Sequence, residues 1–108
     1  MVAVRLAAGV LVSALIRRIE AAGGGSMVLA KGDATAGAIL LAVAERGETR
    51  ALLERALGPD GYAWREAGPA DPAELTGYLT RRRHADPDLW VVELDHPDAE
   101  RIAREVLG

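Results

Sequence analysis

The amino-acid sequence predicts an α+β fold in which an antiparallel β-meander, with one late strand added to it, is packed by about three helices. AILLAVAE at 38–45 is apolar at both alternating positions, as strands buried on both faces are, and so is LWVV at the start of LWVVEL, the strongest predicted strand, at 89–94. Turn signals, RGE at 46–48 and GPDG at 58–61, divide the middle of the chain into short strands. Helical periodicity near both ends places helices beside these strands, in a single domain covering residues 1–108.

The first two helices have clear boundaries. Apolar residues recur at helical spacing from Val10 to Ala22, and the glycines of GGGS end this helix. The second helix begins at a start signal, in which the Asp71 carboxylate caps the first turn and Pro72 and Glu74 follow it. We expect this second helix to run to about His84.

The third helix follows the strongest predicted strand. Pro97 opens it, and either Asp95 or His96 is the expected cap. Its apolar stripe consists of Ala99, Ile102, Ala103, Val106 and Leu107.

The remaining strands are shorter or less distinct. MVLAK at 27–31 and the alternating YAWRE at 62–66 are typical strands, and a short extended segment is expected at 3–7. TRALLERAL at 49–57 consists of helix-favouring residues, but it lies between two turn signals, so we predict a strand.

Composition limits the possible functions. The chain of 108 residues has no cysteine, which excludes disulfides, thiolate metal sites and thiol nucleophiles. Its net charge of −3 argues against a dedicated nucleic-acid binder. The apolar run from Leu6 to Ile16 is too short to span a bilayer, and Arg17, Arg18 and Glu20 stand where a signal peptide would be uncharged. We therefore expect a cytoplasmic protein that does not bind membranes.

Common catalytic and metal-binding motifs are missing. GDATAG at 32–37 has the glycine spacing of a phosphate loop but lacks its Lys and Ser/Thr, so we interpret it as a turn in which Asp33 bonds its own loop. Neither Ser13 nor Ser26 lies on a nucleophile elbow. The clusters HADPD and DHPD flank one strand, so about 20 Å separates them and they cannot share an ion. We predict no catalytic residue, no metal and no cofactor.

The arginine run at 81–83 contains the main candidate binding residue. Consecutive helical residues point about 100° apart, and only Arg82 lies over the apolar stripe of the second helix. A buried guanidinium needs a partner, and Glu93 and Asp88 are the candidates. A structural Arg82–Glu93 pair is the preferred interpretation. An anion-binding pocket that combines Arg82 with Arg18 of the first helix is the alternative.

The aromatic residues are candidates for an interface. Tyr62 and Trp64 share one face of a strand, which suits either base stacking or packing, and packing is preferred. If the helices all cover one face of the sheet, the other face stays apolar and exposed. A homodimer would then cover it, with Trp64 and Trp90 as its anchors and Tyr62 beside them.

Motifs along nearly the whole chain resemble an alphaproteobacterial family, catalogued as domain of unknown function 1491. They are RRIEAAGG at 17–24, KGDATAGAILL at 31–41, LLERA at 52–56 and YLTRRRHADPDLWVVELD at 78–95. The resemblance implies a small bacterial cytoplasmic protein and carries over no catalytic residue.

Three functional hypotheses follow. The preferred one is a non-enzymatic binding or interaction module, for which we expect a homodimer, and whose partner is another protein or a small anionic ligand. The first alternative is a nucleic-acid or phosphate-ligand binder that uses the clustered arginines, although the acidic net charge makes nucleic acid an unfavoured partner. The second alternative is a small enzyme built on carboxylates and arginine, which is disfavoured because few catalytic residue types are present.

Overall fold

The structure, a computed structural model, describes residues 6–107. Its elements along the chain are α1 (Ala8–Ala21), β1 (Gly25–Ala30), β2 (Ile39–Glu45), β3 (Glu48–Gly58), β4 (Gly61–Ala67), α2 (Leu75–Ala85), β5 (Trp90–Asp95) and α3 (Ala99–Leu107). A short 3-10 helix, Pro72–Glu74, leads into α2. This is the predicted α+β fold, and the segment with helical propensity at 49–57 is a strand. The extended segment predicted at 3–7 lies largely outside the described residues. None of the described helices has the length and apolar character needed to cross a membrane.

The five strands form one sheet in the order β1-β5-β2-β3-β4. The strands β2, β3 and β4 form an antiparallel meander, as predicted. The late strand β5 is inserted between β1 and β2, antiparallel to the first and parallel to the second. Glu93 of β5 therefore stands in register between Met27 of β1 and Ala42 of β2. In the part of the chain that the structure describes, the insertion leaves β1 and β4 as the two edge strands.

Helices cover both faces of this sheet. On one face, α1 and α3 pack on a large apolar cluster that includes Leu41, Leu53 and Val92. On the other face, α2 contributes Leu75, Tyr78 and Leu79, which pack on two smaller clusters built from Leu40, Ala42, Leu52, Leu89 and Val91. The sequence-based reason for expecting a dimer, an apolar sheet face without helices, therefore does not apply to the described residues.

The loop between β1 and β2 fixes the start of α1. The backbone N–H of Ala8 donates to the Thr35 carbonyl at 3.2 Å, and that of Gly9 donates to the Ala34 carbonyl at 2.8 Å. These bonds satisfy donors of the first helical turn. They explain why α1 begins two residues before the predicted Val10.

The same loop is held by its own aspartate, as the sequence predicted. The Asp33 carboxylate accepts from the backbone N–H groups of Thr35 and Ala36, at 3.1 and 2.7 Å. The indole N–H of Trp90 donates to the Asp33 carbonyl at 2.7 Å. A Cβ added at Gly37 would collide with the Asp88 carbonyl, so only glycine permits this close approach. The loop is a structural junction between α1 and β5.

A pair of hydrogen bonds fastens α3 to the sheet. The buried indole N–H of Trp64 in β4 donates to the Ala103 carbonyl at 2.9 Å. The Arg104 guanidinium of α3 donates to the Trp64 carbonyl at 2.7 Å. These two bonds place the last turns of α3 against the β4 side of the sheet.

The two candidate caps of α3 have different roles. Asp95 accepts hydrogen bonds from the backbone N–H groups of Arg46 and Gly47, at 3.0 and 2.7 Å, and so holds the turn between β2 and β3. His96 caps the turn that leads into α3, because its Nδ1 accepts from the Asp98 N–H at 2.9 Å and its carbonyl accepts from the Ala99 N–H at 3.1 Å. Its Nε2 lies 3.1 Å from the Ala22 carbonyl oxygen. Because Nδ1 is an acceptor, Nε2 carries the hydrogen and donates it to this carbonyl. His96 therefore joins the end of α1 to the start of α3.

We expect His96→Ala to lower the free energy of unfolding by about 1 kcal/mol or somewhat more, because it removes the cap of the turn that leads into α3. His96→Asn restores an acceptor at the cap and should recover at least half of this loss. Urea unfolding followed by circular dichroism measures both changes. His84→Ala is the matched control, because His84 is exposed. Equal stabilities for His96→Ala and His84→Ala would contradict the assignment of the cap.

Candidate functional site

Arg82 of α2 lies over the sheet, as the helical spacing predicted, but its partner is Glu54 of β3. The guanidinium donates to the Glu54 carboxylate at 2.5 Å and to the Tyr78 hydroxyl at 2.8 Å. The two charged side chains are only 29% and 20% exposed. The hydrogen bond to Glu54 is the main cause of a raised pKa for Arg82, so this arginine stays charged. We call Arg82, Glu54 and Tyr78 the Arg82 cluster.

The preferred interpretation of the sequence, an Arg82–Glu93 pair, is wrong. Glu93 lies on the same sheet face, but on β5, two strands from Glu54 in the sheet order. Among the strands, β3 is the main neighbour of α2, and Arg82 in the last turn of α2 therefore meets Glu54 of β3. Glu93 is half-buried between Met27 and Ala42.

Asp88 does not belong to the Arg82 cluster either. Its side chain is exposed in the turn that precedes β5. Its backbone groups hold this turn in place. The Asp88 N–H donates to the Asp86 carboxylate at 3.1 Å, and the Asp88 carbonyl accepts from the Asp33 N–H at 3.0 Å. Asp88 therefore holds the turn and the loop that packs against it.

Arg18 lies on the opposite side of the sheet from Arg82, because α1 and α2 cover opposite faces. The predicted anion pocket that combines them is therefore not formed. The Arg18 guanidinium instead bonds the Glu105 carboxylate of α3 at 2.7 Å. Hydrogen bonds from Arg18, and then from Arg101, lower the pKa of Glu105. The pair borders an open groove of about 520 Å³ between α1 and α3, also lined by Ala14, Arg17, Ala21 and Val106.

The three aromatic interface candidates are engaged within the chain. Trp64 and Trp90 are 3% and 6% exposed, and both indole N–H groups donate to backbone carbonyls. Their rings are part of the core and do not present a surface to a partner. Tyr62 is half-buried, and the Arg55 guanidinium lies 5.5 Å from its ring centre. The pair of Tyr62 and Trp64 therefore provides no exposed stacking surface.

The surface that the sequence analysis did not single out is the open side of β1. In the sheet order, β1 is a terminal strand, with β5 on its inner side. Its Met27 and Val28 side chains are 59% and 42% exposed. The ten residues at 21–30 contain no charged side chain. We call this surface, Gly25–Ala30, the β1 edge.

The opposite edge strand, β4, differs in charge and in attachment. It exposes Arg65 and Glu66, and charged side chains on an edge strand discourage pairing with another strand. The two hydrogen bonds between Trp64 and α3 also hold β4 on its core side. The β1 edge lacks charged residues of this kind, so it is the more open of the two edges.

The described residues offer little catalytic chemistry. They contain no group of three or more His, Asp or Glu side chains that could hold a metal ion. The resolved pKa shifts, on Arg82, Arg101 and Glu105, all stabilise the charged forms of groups within salt bridges. Shifts of this kind are typical of structural ion pairs, because a general acid or base needs a pKa near neutrality.

A double-mutant cycle distinguishes the two proposed partners of Arg82. We expect Arg82→Met and Glu54→Met each to lower the free energy of unfolding by about 1–3 kcal/mol, since each leaves a half-buried charge without its partner. The double variant should lose less free energy of unfolding than the sum of the losses of the two single variants, with a coupling energy of about 1 kcal/mol or more. Arg82→Met combined with Glu93→Met is the control cycle and should be additive. Coupling to Glu93 and none to Glu54 would contradict the structure.

Comparison with known proteins identifies the family. The family model described as a protein of unknown function, DUF1491, matches residues 6–104. The crystal structure of a DUF1491 family protein from Caulobacter crescentus CB15 is similar, with 36% identity, a TM-score of 0.77, and coverage of 91% of this chain and 94% of that chain. An NMR structure of a DUF1491 family protein from the same organism gives 35% identity, a TM-score of 0.74, and coverage of 90% and 91%.

A third similar structure comes from another bacterium. The solution structure of protein Atu0922 from A. tumefaciens shares 36% identity, with a TM-score of 0.66 and coverage of 86% of this chain and 87% of that chain. The search of curated proteins found no match. These similarities extend over nearly the whole described chain, and the chain therefore belongs to the DUF1491 family of proteins of unknown function.

Proposed function

We propose that this protein is a non-enzymatic interaction module that binds a protein partner along the β1 edge. The observation that carries the proposal is an uncharged edge strand with two large exposed apolar side chains, Met27 and Val28. An open strand edge presents unpaired backbone N–H and C=O groups, which are a template for another strand. Addition of a strand at such an edge is a recurring mode of protein recognition.

The rest of the sheet supports this assignment by exclusion. Both faces are covered by helices, and the apolar side chains at the sheet centre are buried. The β4 edge exposes charged residues, Arg65 and Glu66. A partner that needs both apolar contacts and backbone hydrogen bonds therefore finds them together along β1.

The charged residues support binding of an anion or catalysis less well. Arg82 and Arg18, the candidates for an anion pocket, are neutralised by Glu54 and Glu105 and lie on opposite faces of the sheet. These two arginines therefore do not converge on one anionic ligand. The net charge of −3 adds a general electrostatic cost for nucleic acid.

Site-specific photo-crosslinking in living alphaproteobacterial cells tests this function without assuming the partner. A benzophenone amino acid would replace Met27, and in a control strain it would replace Ala63, which is exposed on the β4 edge. We expect a discrete protein adduct from position 27 that is absent from position 63. Mass spectrometry then identifies the adduct, which can be this protein itself or another protein.

The function would be refuted if position 27 gave no adduct above the control while the protein was expressed and folded. The same adducts from positions 27 and 63 would also refute it, because they would show non-specific contact.

A further inference from the structure

We infer that the β1 edge binds a second copy of this chain, so that two five-stranded sheets join across a two-fold axis at Met27. This inference rests on the proposed interaction function and specifies its partner. A two-fold axis perpendicular to the sheet makes the two β1 strands antiparallel and uses the same surface on both copies. The joined sheet would contain ten strands, with β4 at each outer edge.

The regular part of β1 determines the position of the axis. The pairing of β1 with β5 is regular from Gly25 to Val28 and shifts between Val28 and Ala30. Side chains that stand opposite each other across an antiparallel pair must lie on the same face. With Met27 opposite its own copy, Val28 stands opposite Ser26, and both of these residues lie on the face covered by α1 and α3.

Charge favours a second copy as the occupant. The paired segments contain no charged residue, so no like charges meet across the axis. The nearest acidic side chain to Met27 in the sheet is Glu93, one strand further inward. Three strand spacings then separate the two copies of Glu93, about 14 Å, and at this distance salt screens most of their repulsion.

The helix α1 extends the contact beyond the strands. It packs on both β1 and β5, so the two-fold axis brings the outer flank of α1 beside its copy. This flank carries Ile16. Ile16 points about 200° around the helix from Arg18, and Arg18 faces α3. Ile16 is half-buried in the single chain. A second copy would cover more of it, together with Met27 and Val28.

The expected dimer is weak. A contact of one short strand and one helix flank belongs to the smallest class of specific interfaces, below about 1,200 Å². We expect a dissociation constant on the order of 10–100 μM, so the dimer forms at high protein concentration and dissociates on dilution.

Cysteine cross-linking tests both the dimer and its axis, since the chain has no cysteine of its own. Opposite residues of an antiparallel pair have Cα atoms about 4.5–5.5 Å apart, which is within the range of a disulfide. We expect Met27→Cys to form a disulfide-linked dimer at 100 μM under mild oxidation, at least ten times faster than the two controls. Val28→Cys is the register control, because its copies would be about 8 Å apart. Ala63→Cys is the edge control, because Ala63 is exposed on β4.

Equilibrium ultracentrifugation provides a second, independent readout. The wild-type mass should rise with concentration from the monomer value of 11.4 kDa towards twice that value. Met27→Lys should raise the dissociation constant at least ten-fold, because a lysine at the axis would meet its copy. This variant should keep its fold, since the side chain at position 27 is exposed and Glu93 is its cross-strand neighbour.

Three outcomes would overturn the inference: a monomer at all concentrations up to several hundred micromolar, equal cross-linking at positions 27, 28 and 63, or a dimer unaffected by Met27→Lys. A photo-adduct of position 27 with a different protein, together with a monomer in solution, would overturn the second copy as partner. That result would leave the interaction function intact. Absence of any specific adduct from position 27 would overturn both the proposed interaction function and the second copy as its partner.

Discussion

The parallel pairing of β2 with β5 is the constraint on which the rest of the structure depends. Both strands are apolar on both faces, and their residues from Ile39 to Ala44 and from Trp90 to Leu94 are almost all buried. A strand pair of this kind is stable only when both faces are covered, so the helices must divide between the two faces. The N-terminal and C-terminal helices take one face, and α2 takes the other. With the faces closed, the strand edges are the part of the sheet left open.

The ion pairs can be understood as consequences of this layered arrangement. Two of the three helices place an arginine near an acidic group of a neighbouring element: Arg18 of α1 lies beside Glu105 of α3, and Arg82 of α2 lies beside Glu54 of β3. The arginine run at the end of α2 therefore divides between a half-buried structural pair and exposed charges in the last helical turn, where they stabilise the helix. A sequence rich in arginine does not by itself indicate a binding site, because its acidic residues can neutralise the arginines one by one.

Local patterns in the sequence predicted the elements well, because periodicity and capping residues act over a few positions. The helix start at Asp71, the turn around Asp33 and the burial of both strands at 38–45 and 89–94 are all of this kind. The strand order was less accessible. The sequence indicated that a late strand joins the meander, but the place of β5 between β1 and β2 depends on which packing covers both faces.

Long-range partners could not be predicted for the same reason. Glu93 and Glu54 both lie on the sheet face covered by α2, and only the path of α2 across β3 makes Glu54 the partner of Arg82. Trp64 and Trp90 were candidates for an interface because tryptophan is common there, but each one donates to a backbone carbonyl inside the core. The uncharged run at 21–30 was the available signal for the β1 edge. This run indicates an open edge only once β1 is known to be a terminal strand of the sheet.

Amide hydrogen exchange at low and high protein concentration tests most directly whether the faces are closed and the β1 edge is the surface for association. We expect slow exchange in β2 and β5 at every concentration, because global opening is needed to expose them. Within β1, amides directed away from β5 should exchange quickly at 1 μM and at least several-fold more slowly at several hundred micromolar. Rates in β1 that do not depend on concentration, or a concentration dependence confined to β4 or α2, would contradict this account.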